Sequence, residues 1–152
     1  MKLSNQKGFS LVELLVVVII IAIVAAIAIP NLLASRRAAN EASAQSSMRT
    51  IHSAEATYQA TVGGGTLYGT LVELNTNGLI DSALGAATSQ KSGYGFALTT
   101  GSQIYCATGA PITPGTTGVN YFGVETEGVI WKHTAAMTCS AGDLTPLGQP
   151  IQ

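Results

Sequence analysis

The hydrophobic pattern divides the first half of the chain into two helical parts with different surroundings. Residues 14 to 29 are all Leu, Val, Ile or Ala, and extending this run back to Phe9 adds only Ser10 and Glu13 as polar side chains. A helix that is apolar on every face has no side to turn towards water. The roughly 21 residues from Phe9 to Ile29 span, at about 1.5 Å each, the roughly 30 Å hydrocarbon core of a bilayer. We therefore predict a helix that lies in lipid or among copies of itself.

The second part, residues 31 to 62, has the pattern of an amphipathic helix. Small or apolar residues recur at spacings of three and four and mark one face: Ala44, Met48, Ile51, Ala54, Tyr58 and Val62. Three glycines at 63 to 65 predict the helix end, because glycine adopts a left-handed cap easily. Between the two parts, Pro30 lacks the amide that would bond the Ala26 carbonyl and permits a kink. The apolar face of this second part needs a partner to pack on.

The rest of the chain has the pattern of a loop followed by short strands. Residues 66 to 90 are predicted to be a connecting loop with a helical turn near 71 to 74 and a turn at Asn77 and Gly78. Four strand patterns follow, in GYGFALT, QIYCATG, VNYFGVE and GVIWKH. Two hairpins predict an antiparallel sheet whose apolar face covers the amphipathic helix, and so an α+β fold. The tail from Thr138 to Gln152 is predicted to be irregular chain fixed to the sheet by a disulfide.

Charge gives this arrangement an orientation. Lys2 and Lys7 precede the apolar run, so the positive-inside tendency keeps the N-terminus in the cytoplasm and places everything after Pro30 outside it. The run is longer than the roughly 7 to 15 residues of an ordinary secretory signal, and no small-x-small cleavage site follows it. The net charge of −1 provides neither a basic patch for nucleic acid nor an acidic tail, so no nucleic-acid partner is predicted.

The cysteine count fits an oxidising compartment. Cys106 and Cys139 are the only cysteines, and both lie in the part predicted to be extracytoplasmic, where a disulfide is the expected state. A metal site is the alternative. It is disfavoured because the two cysteines form no CxxC pair and only His52 and His133 are available to complete a zinc site.

The segment Lys7-Gly8-Phe9-Ser10-Leu11-Val12-Glu13-Leu14, followed by the apolar run and Pro30, resembles the class III signal of type IV pilins and of the pseudopilins of type II secretion. The resemblance covers roughly residues 7 to 32. Beyond that segment, the chain is similar to the family only in its general order of helix, loop and small antiparallel sheet.

The resemblance implies a processing route. A prepilin peptidase cuts between Gly8 and Phe9 and methylates the new amine of Phe9. The mature subunits then pass from the inner membrane, with an inner-membrane assembly platform as partner, into a helical filament of copies of the same chain. It also implies this order of segments: a leader at 1–8, a filament-core helix at 9–30, an amphipathic helix at 31–62, an αβ-loop at 63–92, and a sheet with a disulfide-stapled C-terminal region at 93–152.

In the family, the glutamate that matches Glu13 pairs with the N-terminal amine of a neighbouring subunit. Such a pair is costly to desolvate, but leaving either partner alone in a dry core is strongly unfavourable. We therefore expect Glu13 to set the register of assembly while apolar burial supplies the cohesion. Many members have glycine where this chain has Ala22. Since alanine favours helix by about 1 kcal/mol, unwinding between Ala22 and Pro30 depends here on Pro30.

Two filaments fit this resemblance. One is an extracellular type IV pilus that supports adhesion, twitching motility or DNA uptake. The other is the periplasmic pseudopilus of a type II secretion system, whose major subunits typically carry a calcium site in an acidic loop. The acidic side chains of the head are scattered and too few for the roughly six to eight oxygen ligands of calcium: Glu73, Asp81, Glu125, Glu127 and Asp143. The C-terminal disulfide also favours the pilus.

Two further interpretations are an envelope protein that forms no filament and an enzyme. A signal-anchored envelope protein that never polymerises would leave Glu13 and the Gly8-Phe9 junction unexplained. No serine-centred elbow, phosphate loop or acid pair appears, so we predict no enzyme activity, no cofactor and no metal. His52 and Glu55 are predicted to form a solvated surface pair, and the aromatic residues to pack in the core.

Overall fold

The computed structural model describes residues 8–140 and 142–151, which form an α+β fold. One long helix, α1, comprises the 51 residues Leu11–Thr61. Two short helices follow, α2 (Leu71–Thr76) and α3 (Ser82–Gly85). The contacts divide the chain at Ser35 and Arg36 into an N-terminal unit and a second unit, which we call the head.

In the part of the head that the structure describes, there are eight strands in two sheets. They are β1 (Gln90–Lys91), β2 (Tyr94–Thr100), β3 (Tyr105–Pro111), β4 (Tyr121–Glu125), β5 (Ile130–His133), β6 (Thr138–Ser140), β7 (Asp143–Thr145) and β8 (Gln149–Ile151). Six of them form one antiparallel sheet in the order β1-β2-β3-β4-β5-β8, and β6 pairs with β7 in a separate hairpin. The four predicted strands correspond to β2 to β5.

The main sheet is covered on one face by the head part of α1. Because side chains of a strand alternate between faces, Tyr105 and Ala107 join the core beneath α1, whereas Cys106 between them faces the other way. The helix contributes five of its predicted positions to this core: Ala44, Met48, Ile51, Ala54 and Tyr58. The sixth, Val62, is exposed, so that part of the prediction is wrong. The helix ends at Thr61, and Val62 lies beyond it.

The glycines at 63 to 65 end the helix as predicted. Gly64 and Gly65 have positive φ angles of 60° and 81°, which glycine adopts without the steric penalty of a side chain. The amide of Gly65 donates to the Gln59 carbonyl at 2.8 Å, and the amide of Gly63 donates to the Tyr58 carbonyl at 2.8 Å. These bonds satisfy carbonyls that the end of a helix would otherwise leave free.

The C-terminal tail differs from its prediction as irregular chain. It contains three short strands, β6 to β8, and β8 extends the main sheet by pairing with β5, with Ile130 opposite Ile151. The segments are only three residues long; β8 contains Pro150, and Pro146 directly follows β7. Their pairing depends on partners that are distant in sequence, so the local pattern carried no strand signal. The strand β1 and the helix α3 were also outside the prediction.

Candidate assembly site

The residues predicted for processing and assembly lie at the start of α1. Gly8 and Phe9 precede the helix and are exposed, Phe9 with 85% of its surface accessible. The Ser10 carbonyl accepts a hydrogen bond from the Leu14 amide, and the Ser10 amide donates to the Glu13 carboxylate at 3.4 Å. Glu13 thus occupies the first turn of the helix, where the helix dipole favours a negative charge. Residues 1–7 of the predicted leader, including Lys2 and Lys7, lie outside the described residues.

The part of α1 that follows Glu13 in sequence has a continuous apolar surface. The residues of α1 from Leu11 to Ile29 are not buried, and the large side chains among them have about half or more of their surface accessible. Within the described residues, this is the one helix long and apolar enough to cross a membrane. So large an exposed apolar surface is unstable in water and is expected to be covered by lipid or protein.

Pro30 lies inside α1 without ending it. Its ring nitrogen has no hydrogen to donate to the Ala26 carbonyl, yet helical structure continues on both sides. The Asn31 side-chain amide donates to the Ile27 carbonyl at 3.1 Å, and the Ser35 hydroxyl donates to the Asn31 carbonyl at 3.0 Å. These bonds support the turns next to the missing amide. Unwinding between Ala22 and Pro30 in an assembled filament remains a prediction.

Cys106 and Cys139 form a disulfide in the head, with their Cα atoms 5.8 Å apart. Cys106 lies on β3, on the sheet face opposite α1, and Cys139 lies on β6. The bond therefore attaches the β6–β7 hairpin to the second face of the main sheet. Met137 and Leu144 are buried beside it, and Trp131 packs against them. The hairpin gives the central strands a second apolar layer.

Polar side chains of α1 hold the segment between β3 and β4. Arg37 donates to the Gly115 carbonyl at 3.1 Å, and Asn40 donates to the Thr117 carbonyl at 2.9 Å. The Glu41 carboxylate accepts from the Val119 amide at 2.8 Å and from the side-chain amide of Asn120 at 2.7 Å. Burial disfavours the charge, but these hydrogen bonds outweigh it and lower the pKa of Glu41. Glu41 is thus a structural anchor within its own chain.

Glu55 contradicts the prediction of a solvated pair with His52. It is completely buried, and one carboxylate oxygen accepts from the Gly69 amide at 2.9 Å. Its other oxygen has no hydrogen-bond partner within the described residues. Burial raises the pKa of Glu55 to about 7, against the opposing hydrogen bond from Gly69 and with a smaller contribution from the Glu73 carboxylate.

His52 instead interacts with the sheet. Its Nδ1 is hydrogen-bonded to the hydroxyl of Tyr105 on β3. Burial raises the pKa of Tyr105 far above its usual range, and the nearby Glu55 and Tyr68 add to this effect. The tyrosine hydroxyl therefore keeps its proton at neutral pH.

The structure places these residues in separate groups. Gly8, Phe9, Glu13 and Pro30 lie in the N-terminal unit, while Cys106 and Cys139 lie in the head. The structural roles of Glu41 and Glu55 were not predicted from the sequence. A signal for Glu55 was present in its spacing, since it follows Ile51 by four residues and precedes Tyr58 by three on the buried face.

Comparison with known proteins adds one match. The model of the prokaryotic N-terminal methylation motif matches residues 3–29, so the chain carries the class III signal of type IV pilins at its N-terminus. None of the curated proteins and none of the solved structures compared matches the chain. The motif is that of a precursor of the pilin or pseudopilin type, which a prepilin peptidase processes and which assembles into filaments.

Proposed function

We propose that this precursor, which carries the prepilin-type methylation motif, is the structural subunit of an extracellular type IV pilus. The observation that carries the proposal is the exposed apolar helix that begins directly after Gly8 and Phe9 and has Glu13 in its first turn. Before assembly the inner membrane covers this surface, and in the filament the helices of neighbouring subunits cover it. Because lipid tails are as apolar as these side chains, the exchange of lipid for protein contacts is favourable only if the helices pack closely.

Glu13 is the polar element of this assembly. In the proposed filament, Phe9 becomes the N-terminal residue by cleavage after Gly8, and its amine is methylated. The carboxylate of Glu13 then accepts a hydrogen bond from this charged amine on a neighbouring subunit. An unpaired carboxylate in a dry helical bundle costs several kcal/mol, so only the register that brings the amine to Glu13 is favourable. Pro30 supplies the weak point of helical hydrogen bonding at the end of the apolar segment.

The environment of the head carboxylates supports the pilus over the pseudopilus. Glu73 forms a capping box with Thr70, Asp81 caps α3 and pairs with Lys91, and Glu125 accepts from the Leu144 amide. Each of these side chains already serves local structure, and a calcium site would have to compete with those bonds. The disulfide in the C-terminal region also favours a pilin. Two alternative functions are kept. The first is the major pseudopilin of a type II secretion system in the periplasm, and the second is a signal-anchored envelope protein that does not polymerise.

The test is intact mass and N-terminal sequencing of the chain from two fractions of native cells, sheared filaments and the remaining envelope. A chain that begins at methylated Phe9 and is abundant in the sheared fraction is the expected result. The same processed chain confined to the envelope would favour the pseudopilus. An uncut chain would refute both filament assignments.

The role of Glu13 is tested separately with Glu13→Ala and a matched control, Glu127→Gln, which removes an exposed carboxylate of the head. We expect Glu13→Ala to be processed but to yield few or no filaments, while the control assembles normally. Filament yield at the wild-type level in Glu13→Ala would contradict the proposed register contact.

A further inference from the structure

A cavity of about 370 Å³ opens between α1 and the strands at one end of the main sheet, entirely within the head. Three side chains of α1 line one wall at relative positions i, i+3 and i+4, which lie on one helical face. The residues of the two walls are Arg49, His52 and Ser53 on the helix, and Gly128, Ile130 and Ile151 opposite.

The helical wall presents hydrogen-bond donors. Arg49 is exposed, and within residues 8–140 and 142–151 its guanidinium has neither an ion pair nor a hydrogen bond. The planar guanidinium matches the geometry of a carboxylate with two parallel hydrogen bonds. In the same described ranges, the Ser53 hydroxyl also makes no side-chain hydrogen bond.

The hydrogen bond of His52 to Tyr105 orients the imidazole. Assigning the Tyr105 hydroxyl as the donor to Nδ1 places a ring proton of His52 on Nε2. Nε2 is the ring atom closest to Gly128, whose φ angle is 79°. A side chain at position 128 would overlap the imidazole, so the glycine leaves room for the ring and for its Nε2–H beside the cavity.

The opposite wall is aliphatic. Ile130 and Ile151 pair across β5 and β8 and contribute their side chains to the cavity. Among the residues that the structure describes, no acidic side chain lines the cavity: Glu127, next to Gly128, is exposed, and Glu55 is buried in the core, where it accepts from the Gly69 amide. Donors on one wall and branched aliphatic side chains on the other match a ligand with an anionic head and a small apolar body.

From this arrangement we infer that the cavity binds a small branched aliphatic carboxylate. Arg49 and Ser53 hold the carboxylate together with the Nε2–H of His52, and the aliphatic body lies against Ile130 and Ile151. The inference is independent of the filament that the chain forms, since every residue involved lies in the head.

The experiment is an NMR titration of the full chain in dodecyl maltoside micelles with 3-methylbutanoate as the probe. We expect saturable shifts of the His52 ring and the Gly128 amide. Arg49→Gln is expected to weaken binding about tenfold, the effect of about 1.4 kcal/mol, and Ser53→Ala about threefold through the loss of one hydrogen bond. The matched control is Arg36→Gln, which removes an exposed arginine of the same helix outside the cavity.

Neutral 3-methylbutanamide and inorganic phosphate complete the design. The amide is expected not to saturate the site, and phosphate is expected to bind more weakly because it has no apolar body. Equal affinities of 3-methylbutanoate and its amide, or of 3-methylbutanoate and phosphate, would overturn the inference. Equal losses in Arg49→Gln and Arg36→Gln would overturn it as well. If Arg49→Gln changes the spectrum of the whole head, Ser53→Ala provides the test, and unchanged binding in that variant contradicts the assignment.

Discussion

The buried carboxylate of Glu55 makes the stability of the head depend on pH in a direction opposite to that of most glutamates. Its pKa rises from an ordinary 4.5 to about 7 because burial disfavours the charge. Between these values the folded state holds a proton that the unfolded state has released. The free energy of unfolding therefore falls as pH rises through this window. The contribution of Glu55 is fully present below about pH 4.5 and is lost above about pH 7.

The magnitude follows from linkage. At about 1.4 kcal/mol for each pKa unit, the difference between the two values corresponds to about 3 kcal/mol, most of which falls between pH 5 and pH 8. Glu55→Gln keeps an oxygen that accepts from the Gly69 amide but does not ionise. We expect the variant to gain about 2 to 3 kcal/mol relative to the wild type when pH is raised from 5 to 8. A cost of about 1 to 3 kcal/mol for the buried amide hydrogens adds equally at both pH values.

The assay is urea unfolding of the full chain in micelles under oxidising conditions, followed by the fluorescence of Trp131. This is the only tryptophan in the chain, and it packs in the head, so it reports the unit that contains Glu55. Glu127→Gln is the matched control and is expected to follow the pH profile of the wild type. A difference between Glu55→Gln and the wild type that stays constant within about 0.5 kcal/mol from pH 5 to 8 would refute the reasoning.

Further predictions use the same assay. Replacing Cys106 and Cys139 together with alanine is expected to cost about 4 kcal/mol, because the bridge closes a loop with a sequence separation of 33; a cost below about 1 kcal/mol would contradict this account. Glu41→Gln is expected to cost about 1 to 3 kcal/mol at pH 7, because its charged hydrogen bonds to Val119 and Asn120 weaken. Since the pKa of Glu41 is lowered, its contribution to the free energy of unfolding is present above about pH 4.5 and is lost as pH falls through the folded-state pKa. The stabilities of the wild type and Glu41→Gln are therefore expected to converge in acid. A penalty that persists unchanged at low pH would show that the charge of Glu41 is not responsible.

Glu41 and Glu55 illustrate how environment separates two identical side chains on one helix. Glu55 is completely buried and accepts one hydrogen bond, whereas Glu41 is only partly buried and accepts several from the β3–β4 segment. Desolvation raises a carboxyl pKa and hydrogen bonds to the charged form lower it. The depth of burial and the number of donors together decide the sign.

Local pattern was sufficient for the elements whose signal repeats along the chain. The apolar run predicted the exposed helix, the spacing from Ala44 to Tyr58 predicted its buried face in the head, and the glycines after Val62 predicted the end of the helix. Alternating residues predicted β2 to β5. These patterns reflect helix and strand periods, which depend only on residues that are close in sequence. The methylation motif is likewise local, because it is carried by one continuous segment, residues 3–29.

The tertiary structure decided what depends on residues that are distant in sequence. The strand β8 exists because β5 offers hydrogen-bonding groups at the edge of the sheet, and Glu55 is buried because the loop with Gly69 closes over it. The pairing of His52 with Tyr105 and the cavity beside Arg49 arise in the same way, from the packing of α1 on the sheet. A sequence states which groups ionise or donate hydrogen bonds, but only packing determines whether water or protein surrounds each of them, and that difference sets their energies.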